Sequence, residues 1–472
     1  MHMRSRSITS PPKAVPSLET NGSIELSPST TTIGRRTRRK RRRTSSSSIL
    51  FLRPRQAFVL AVTVIVGLAI VSITYVVSRI LHITHASTQH AFYLDSPNAP
   101  SCSEPLHADD VSYTLVTQMN DDRLWMMEYH CQRWGSNTMS IAVLSEHSYE
   151  QVWKTLTEDL RCDAESLTLS VLSSRNYPQD DYPVNVLRNL AISQVRTSHL
   201  VYIDVDFWGS TNLVEVLHHN DTVRSALASD PYLALVIPAF QLFRQCEDWI
   251  DCKDKNIPLM PETQPELYTV LKSKKAHMFD PTNKGGHGST RYKDWLVDQE
   301  EGELLEIDCI LSNRYEPFVV VRYCRQLPPF QEAFSGYGKN KMTWMMQLIR
   351  SGYGLAQIGG AFLVHYPHLD SKSRMHWNEA PKELVVKNQE GKPQFIRRPE
   401  QKDAGVVDFG NYKRGQVDAT FVEFRNWLEE HVPEDKRRVP RCKDAQDDDS
   451  KLWIDRSANK RYDIPNPIIP NQ

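Results

Sequence analysis

Residues His199–Phe207 read HLVYIDVDF, and this stretch limits the fold more narrowly than any other. Four apolar or aromatic residues, Leu200–Ile203, run straight into Asp204-Val205-Asp206. The run predicts a buried strand over His199–Asp204, and carboxylates that end such a strand need a partner to offset their desolvation. Side chains alternate along a strand, so Asp204 and Asp206 are expected on one face at its C-terminal edge, where open α/β sheets bind ligands. Two carboxylates placed there can hold a hard divalent cation, magnesium or manganese, that bridges a diphosphate. A second Asp-x-Asp, Asp447/Asp449, follows no strand and reads as a solvated charge cluster in an acidic tail.

The flanking sequence extends this strand into a rhythm. Strands are expected at Val111–Val116, Met139–Leu144, Leu167–Leu172 and Leu233–Ile237, and helices at Asp121–Trp134, Tyr149–Leu160, Val184–Val195 and Asn212–Ala228. The alternation predicts an α/β domain with a mostly parallel sheet flanked by helices. Residues 244–316 are rich in charge, Pro and Gly and read as long loops, after which a strand at Pro317–Arg322, a helix at Asn340–Arg350 and a strand at Gly360–His365 resume the pattern. One amphipathic helix is expected at Ala419–His431.

The chain ahead of this domain is of a different kind. Residues 1–56 carry a net charge of +11 and the remainder −11, so the balanced total of 57 basic and 57 acidic residues hides a basic head on an acidic body. An acidic body argues against nucleic-acid binding. Ala57–Val77 is 21 residues without a charge, enough to span about 30 Å of hydrocarbon as a helix. The block Arg35–Arg43 on its N-terminal side predicts a cytoplasmic tail and a lumenal body. All eight cysteines follow the span, and an oxidising lumen predicts up to four disulfides of open connectivity. The expected organisation is a basic tail (1–56), a single transmembrane anchor (57–78, crossing at 57–77), a stem (79–110), a domain (111–380) and a C-terminal extension (381–472).

Two further groups could serve the aspartates. Arg188 and Asn189 lie on the helix that leads into the Asp-x-Asp strand, where an Arg could pair with a phosphate or a carboxylate. His365 ends the apolar strand Ala361–His365 and, if in the same sheet, could supply a third metal ligand. These pieces join a series: YPVNVLRN (Tyr182–Asn189), LVYIDVDF, VIPAF (Val236–Phe240), YEPFVVVR (Tyr315–Arg322), FSGYGKNK (Phe334–Lys341) and FLVHYPH (Phe362–His368). In order and spacing, across roughly residues 111–370, the series resembles the LARGE-type glucuronyltransferases of glycosyltransferase family 49. The resemblance implies a type II Golgi membrane enzyme of GT-A fold that uses a UDP-sugar and Mn2+ (or Mg2+). It implies Asp204, Asp206 and His365 as metal ligands, Arg188, Asn189, Asn340 and Lys341 beside the nucleotide-sugar, and Thr117 and Gln118 near its base. One departure stands out: the family's aromatic-Asp-x-Arg-Phe reads Phe330-Gln331-Glu332-Ala333-Phe334 here.

The expected activity is transfer of glucuronate or a related sugar from UDP to a hydroxyl of a glycan or glycoprotein acceptor, with inversion. Glu332 and Glu316 are the candidate bases. A catalytically inactive, membrane-tethered glycan-binding protein is the competing reading, supported by Gln331, and a nucleotidyltransferase is a third. The sequence leaves open the linkage and whether the chain forms a homodimer. The orientation is checked by protease treatment of sealed microsomes, which should spare the chain beyond roughly residue 80; digestion of the body would reverse the topology.

Overall fold

The computed structural model describes residues 90–178, 181–246, 252–378, 384–387, 393–396, 413–433, 436–443 and 445. The basic tail and the span expected at Ala57–Val77 lie outside the described residues. Among the described residues no helix is long and apolar enough to cross a membrane.

Twelve strands build two sheets: β1 (Tyr113–Asn120), β2 (Met139–Ser145), β3 (Leu167–Ser173), β4 (His199–Tyr202), β5 (Phe207–Gly209), β6 (Leu233–Ile237), β7 (Ala239–Leu242), β8 (Ala276–Met278), β9 (Leu304–Glu306), β10 (Phe318–Arg322), β11 (Gly354–Ile358) and β12 (Leu363–His365). The larger sheet has the order β3-β2-β1-β4-β10-β6-β11-β9. Its first four strands are parallel, as are β6 and β11. The sheet is nevertheless mixed, because β10 runs antiparallel to both β4 and β6, and β9 antiparallel to β11. The mostly parallel expectation is corrected here for a physical reason: β10 follows the long excursion through residues 243–317, not a helix that crosses back over the sheet, so nothing forces it parallel.

The sheet's central strands are buried on both faces. Leu115, Val201, Leu235 and Val320 pack on one side, and Val116, Leu200, Tyr202, Val236, Val319 and Val321 on the other. Side-chain alternation thus sends each strand's apolar residues into two cores. The Val184–Ile192 helix lies on the second, burying Leu187, Ala191 and Ile192, and Arg188 with them.

Pro238 ends β6 and the chain turns directly into β7, which belongs to a second sheet of order β5-β12-β7-β8. Proline has no N–H to continue a ladder, so the switch falls where the sequence places it. His365, the last residue of β12, therefore lies in this second sheet and not beside Asp204 in the first, which corrects the same-sheet expectation.

Local chemistry accounts for the other differences. The helix expected over Asn212–Ala228 is two helices, Leu213–His219 and Asp221–Ser229, because the Asn220 side chain accepts from Val223 N and caps the second. The one expected over Asp121–Trp134 opens with a 3-10 segment, Asp121–Met126, before Met127–Trp134. Gln264–Lys272 is helical within the stretch expected as loops. The C-terminal helix begins early, at Lys413, and runs to His431.

All eight cysteines are paired: Cys102–Cys324, Cys131–Cys162, Cys246–Cys252 and Cys309–Cys442. The expected stem is described only from residue 90, and from there it is fastened to the body by the first bridge. Phe92 also packs edge-on to Phe424 of the C-terminal helix. Cys309–Cys442 fastens the C-terminal extension across 133 residues of chain. Changing both cysteines to Ser should cost on the order of 2–4 kcal/mol, read as a lower urea midpoint. An unchanged midpoint would show that the bridge does not form.

Candidate functional site

Strand β4 stops at Tyr202, two residues short of the first aspartate, and Phe207 N–H donates back to Asp204 O at 2.9 Å. Asp204-Val205-Asp206 is therefore a turn, and strand alternation does not govern it. The expected shared face is corrected accordingly: the two carboxylates diverge into different partner sets. His130 holds the turn's middle, its Nε2–H donating to Val205 O at 2.9 Å. Burial takes the His130 pKa down to about 4, so the ring is neutral at ordinary pH.

Asp206 faces two imidazoles and a guanidinium. His368 Nε2 lies 2.9 Å and His365 Nε2 3.7 Å from Asp206 Oδ2, and the two Nε2 atoms are 3.2 Å apart. Arg123 Nη1 donates to the same Oδ2 at 2.5 Å. Burial opposes the charge on Asp206, but Arg123 and then the two histidines outweigh it and hold the carboxyl well below its usual range. Burial also lowers the His365 pKa against the pull of Asp206, which favours the neutral ring that a metal requires. One ligand atom from each of Asp206, His365 and His368 falls within 4.8 Å of the others. That donor set fits a divalent cation, and its two imidazoles move it away from magnesium, which takes oxygens, toward a transition metal.

Asp204 stands outside that trio. Arg188 Nη2 donates to its Oδ1 at 3.0 Å, Tyr202 OH donates to the same oxygen, and Lys341 Nζ is 3.5 Å from Oδ2. Burial raises the Asp204 pKa, and Lys341 and Arg188 bring it below the ordinary value. Arg188 is fully committed: its Nη1 donates to Asn185 Oδ1 and Asn340 Oδ1 at 2.9 and 3.2 Å, its Nε to Tyr202 OH at 2.5 Å, and it lies over the ring of Phe330. Lys341 is buried with its ammonium 3.5 Å above the Phe318 ring. Asn340 and Lys341 open the helix Asn340–Arg350, and the turn that delivers them needs unusual backbone. Gly338 has φ +98°, and a Cβ there would meet the Trp377 ring at 2.6 Å. Lys339 has φ +59° and is held from behind by Asp418 of the C-terminal helix at 3.2 Å.

The structure brings together Asp204, Asp206, His365, Arg188, Asn340 and Lys341 among the expected residues. Thr117 and Gln118 lie in the second half of β1, beside β4; Gln118 Oε1 accepts from Tyr182 OH, and the buried Thr117 hydroxyl has no hydrogen-bond partner among the described residues. Glu316 joins them electrostatically: burial raises its pKa, with Lys341 opposing and Asp280 and Asp204 adding to the rise. Asn189 and Glu332 pair with each other instead, at 2.9 Å, and Asn189 also binds the backbone of Phe330; neither makes a hydrogen bond to Asp204 or Asp206. Sequence reasoning missed Arg123, which carries no motif, and His368, whose i,i+3 spacing from His365 was a usable signal.

The chain is 28% identical to the xylosyl- and glucuronyltransferase LARGE2 of Mus musculus over 270 residues, which are 57% of this chain and 36% of that protein. It is also 28% identical over 260 residues, 55% of this chain and 38% of the other, to the glycosyltransferase-like protein gnt14 of Dictyostelium discoideum. The chain thus spans little more than a third of the length of either relative. The crystal structure of GalNAc-T7 with UDP, GalNAc and Mn2+ aligns over 70% of this chain and 59% of that one at 11% identity and TM-score 0.33, a likeness too slight to bear on the site. Residues 144–390, just over half of the chain, match the family described as glycosyl-transferase for dystroglycan, and the chain belongs to that family.

Proposed function

We propose that this protein is a metal-dependent glycosyltransferase of GT-A type that moves glucuronate or a related sugar from UDP to a glycan hydroxyl with inversion. Its body would lie in the Golgi lumen behind the anchor at 57–77. The observation that carries the reading is the meeting of Asp206, His365 and His368 beside the Arg188–Asp204–Lys341 array, in a chain of a glycosyltransferase family. Manganese held by those three residues would neutralise the departing diphosphate. Arg188, locked by four hydrogen bonds to Tyr202, Asp204, Asn185 and Asn340, keeps the nucleotide side of the site rigid. Lys341 offers a buried positive charge suited to a uronate carboxylate.

Glu316 is the better placed of the two candidate bases. Its N–H is fixed to Gly286 O at 2.9 Å, and its carboxylate shares the field of Lys341 and Asp204. In the reaction, the acceptor oxygen bonds to the anomeric carbon, UDP leaves with the electron pair of the broken bond, and Glu316 takes the hydroxyl proton. Its raised pKa matches that work, and turnover should fall on acidification at a pH above that of an ordinary carboxylate. Gln331, which supported an inactive protein, is wholly buried and bound to the backbone of Tyr93, so its amide does not stand in for a base.

Two measurements test this reading. Asp206→Asn should lose manganese-dependent UDP binding in calorimetry, and His365→Ala or His368→Ala should weaken it less, because each keeps the anionic ligand. Binding like the wild type in Asp206→Asn would misplace the metal. Glu316→Gln should lower kcat on the order of 10²-fold or more with UDP-sugar binding kept, the usual weight of a general base, while Glu332→Gln leaves turnover near wild type. The reverse pattern assigns the base to Glu332.

A further inference from the structure

Arg123 occupies the place on Asp206 that a cation would take. Its Nη1 donates to Asp206 Oδ2 at 2.5 Å, and its Nη2 lies 3.2 Å from His368 Nδ1, so one guanidinium touches two of the three groups in the ligand cluster. The oxygen it holds is also the one that faces both imidazoles. A divalent ion and this guanidinium therefore compete for a single oxygen.

The charges around the turn make the competition consequential. Arg123, Arg188 and Lys341 stand against Asp204, Asp206 and, beside Lys341, Glu316, so the groups around the turn already balance without a metal. A metal ion arriving alone adds two positive charges at close range, where each ångström counts. A metal ion arriving with a diphosphate adds almost none. Of the three cations, only Arg123 has freedom to respond. Arg188 is buried and bonded on every side, and Lys341 is buried over an aromatic ring. Arg123 sits on the 3-10 segment just after β1, its side chain 19% exposed, and among the described residues it donates to Asp206 and touches His368, whose Nδ1–H goes to Leu369 O at 2.6 Å. Its planar fork suits two phosphate oxygens as well as it suits a carboxylate.

We propose that Arg123 is a hand-over group that couples the two ligands of the site. It neutralises Asp206 while no metal is bound, yields that oxygen to the metal, and turns its guanidinium to the diphosphate of the nucleotide. Metal and nucleoside diphosphate then bind cooperatively, each strengthening the other by the same factor. The inference rests on the metal-dependent reading given above.

The test measures bound Mn2+ directly, from the loss of the free-ion paramagnetic resonance signal, on the full-length chain with and without UDP. In the wild type, Mn2+ alone should bind weakly and UDP should strengthen it at least about tenfold, a coupling of ordinary size. Arg123→Gln should bind Mn2+ alone at least about tenfold more tightly and lose most of the strengthening by UDP. Arg123→Lys, which keeps the charge but cannot bridge Asp206 and His368 together, should fall between the two and serves if the Gln variant fails to melt like the wild type. Tighter Mn2+ binding in Arg123→Gln with undiminished strengthening by UDP overturns the hand-over, since Arg123 would then be a counter-ion only. Unchanged or weaker binding of Mn2+ alone overturns it as well. A wild type that binds neither Mn2+ nor UDP defeats the metal-dependent reading itself, an outcome distinct from both.

Discussion

Two ionised carboxylates two residues apart, Asp206 buried and Asp204 half-buried, are the constraint from which the rest of this structure follows. Removing a carboxylate from water costs several kcal/mol even after the protein relaxes around it, and an unpartnered one would be neutralised instead. Asp204 and Asp206 each escape this by a separate set of partners, and those partners come from distant chain segments. Arg188 is brought by the helix before β4, Lys341 by the helix after β10, Arg123 by the segment after β1, and the two histidines by the end of β12 and the loop beyond it. The topology can be read as the arrangement that delivers these side chains to one turn.

The turn itself is held by neutral contacts that the charges cannot supply. His130 donates to Val205 O from the Met127–Trp134 helix, and the next residue, Cys131, is bridged to Cys162. On the opposite flank, the C-terminal helix packs Val417, Phe421 and Phe424 against Phe334 and Met342, and its Asp418 pairs with Lys339 in a nearly buried ion pair. Breaking such a pair by removing one partner is typically costly, about 3–5 kcal/mol. The extension after the domain is thus part of the frame that aims Asn340 and Lys341.

The strands and the site's chemistry were legible in the sequence to different depths. The apolar runs of β2, β4, β6 and β10 declared themselves, because strands buried on both faces carry little else. The direction of β10 did not, since composition says nothing about which end of the sheet a long excursion returns to. Asp204 and Asp206 were visible as residues, but their divergence was not: it depends on β4 ending at Tyr202, a boundary that hydrogen bonds to Val116 and a returning Phe207 decide. Arg123 was invisible for a related reason. An isolated Arg after a strand looks like any solvated cation until the fold sets it against Asp206.

Gln331 shows how a departure from a family pattern can concern structure instead of chemistry. Its Oε1 accepts from Tyr93 N at 2.9 Å while its Nε2 donates to Tyr93 O at 2.7 Å, and Gln347, itself bonded to Gln331, donates to the same carbonyl at 2.8 Å. The amide thus treats Tyr93 as a neighbouring strand would, satisfying both backbone groups of one residue at once. An aspartate could accept from the N–H but would set a carboxylate oxygen against the carbonyl and leave the buried Gln347 Oε1 without the donor that Gln331 supplies, at a cost of about 1–3 kcal/mol. The glutamine is therefore what allows the segment ahead of the domain to seat against the Asn340–Arg350 helix. The two carboxylates beside Lys341 are set apart in turn: Lys341 and Arg188 hold Asp204 low, and burial raises Glu316.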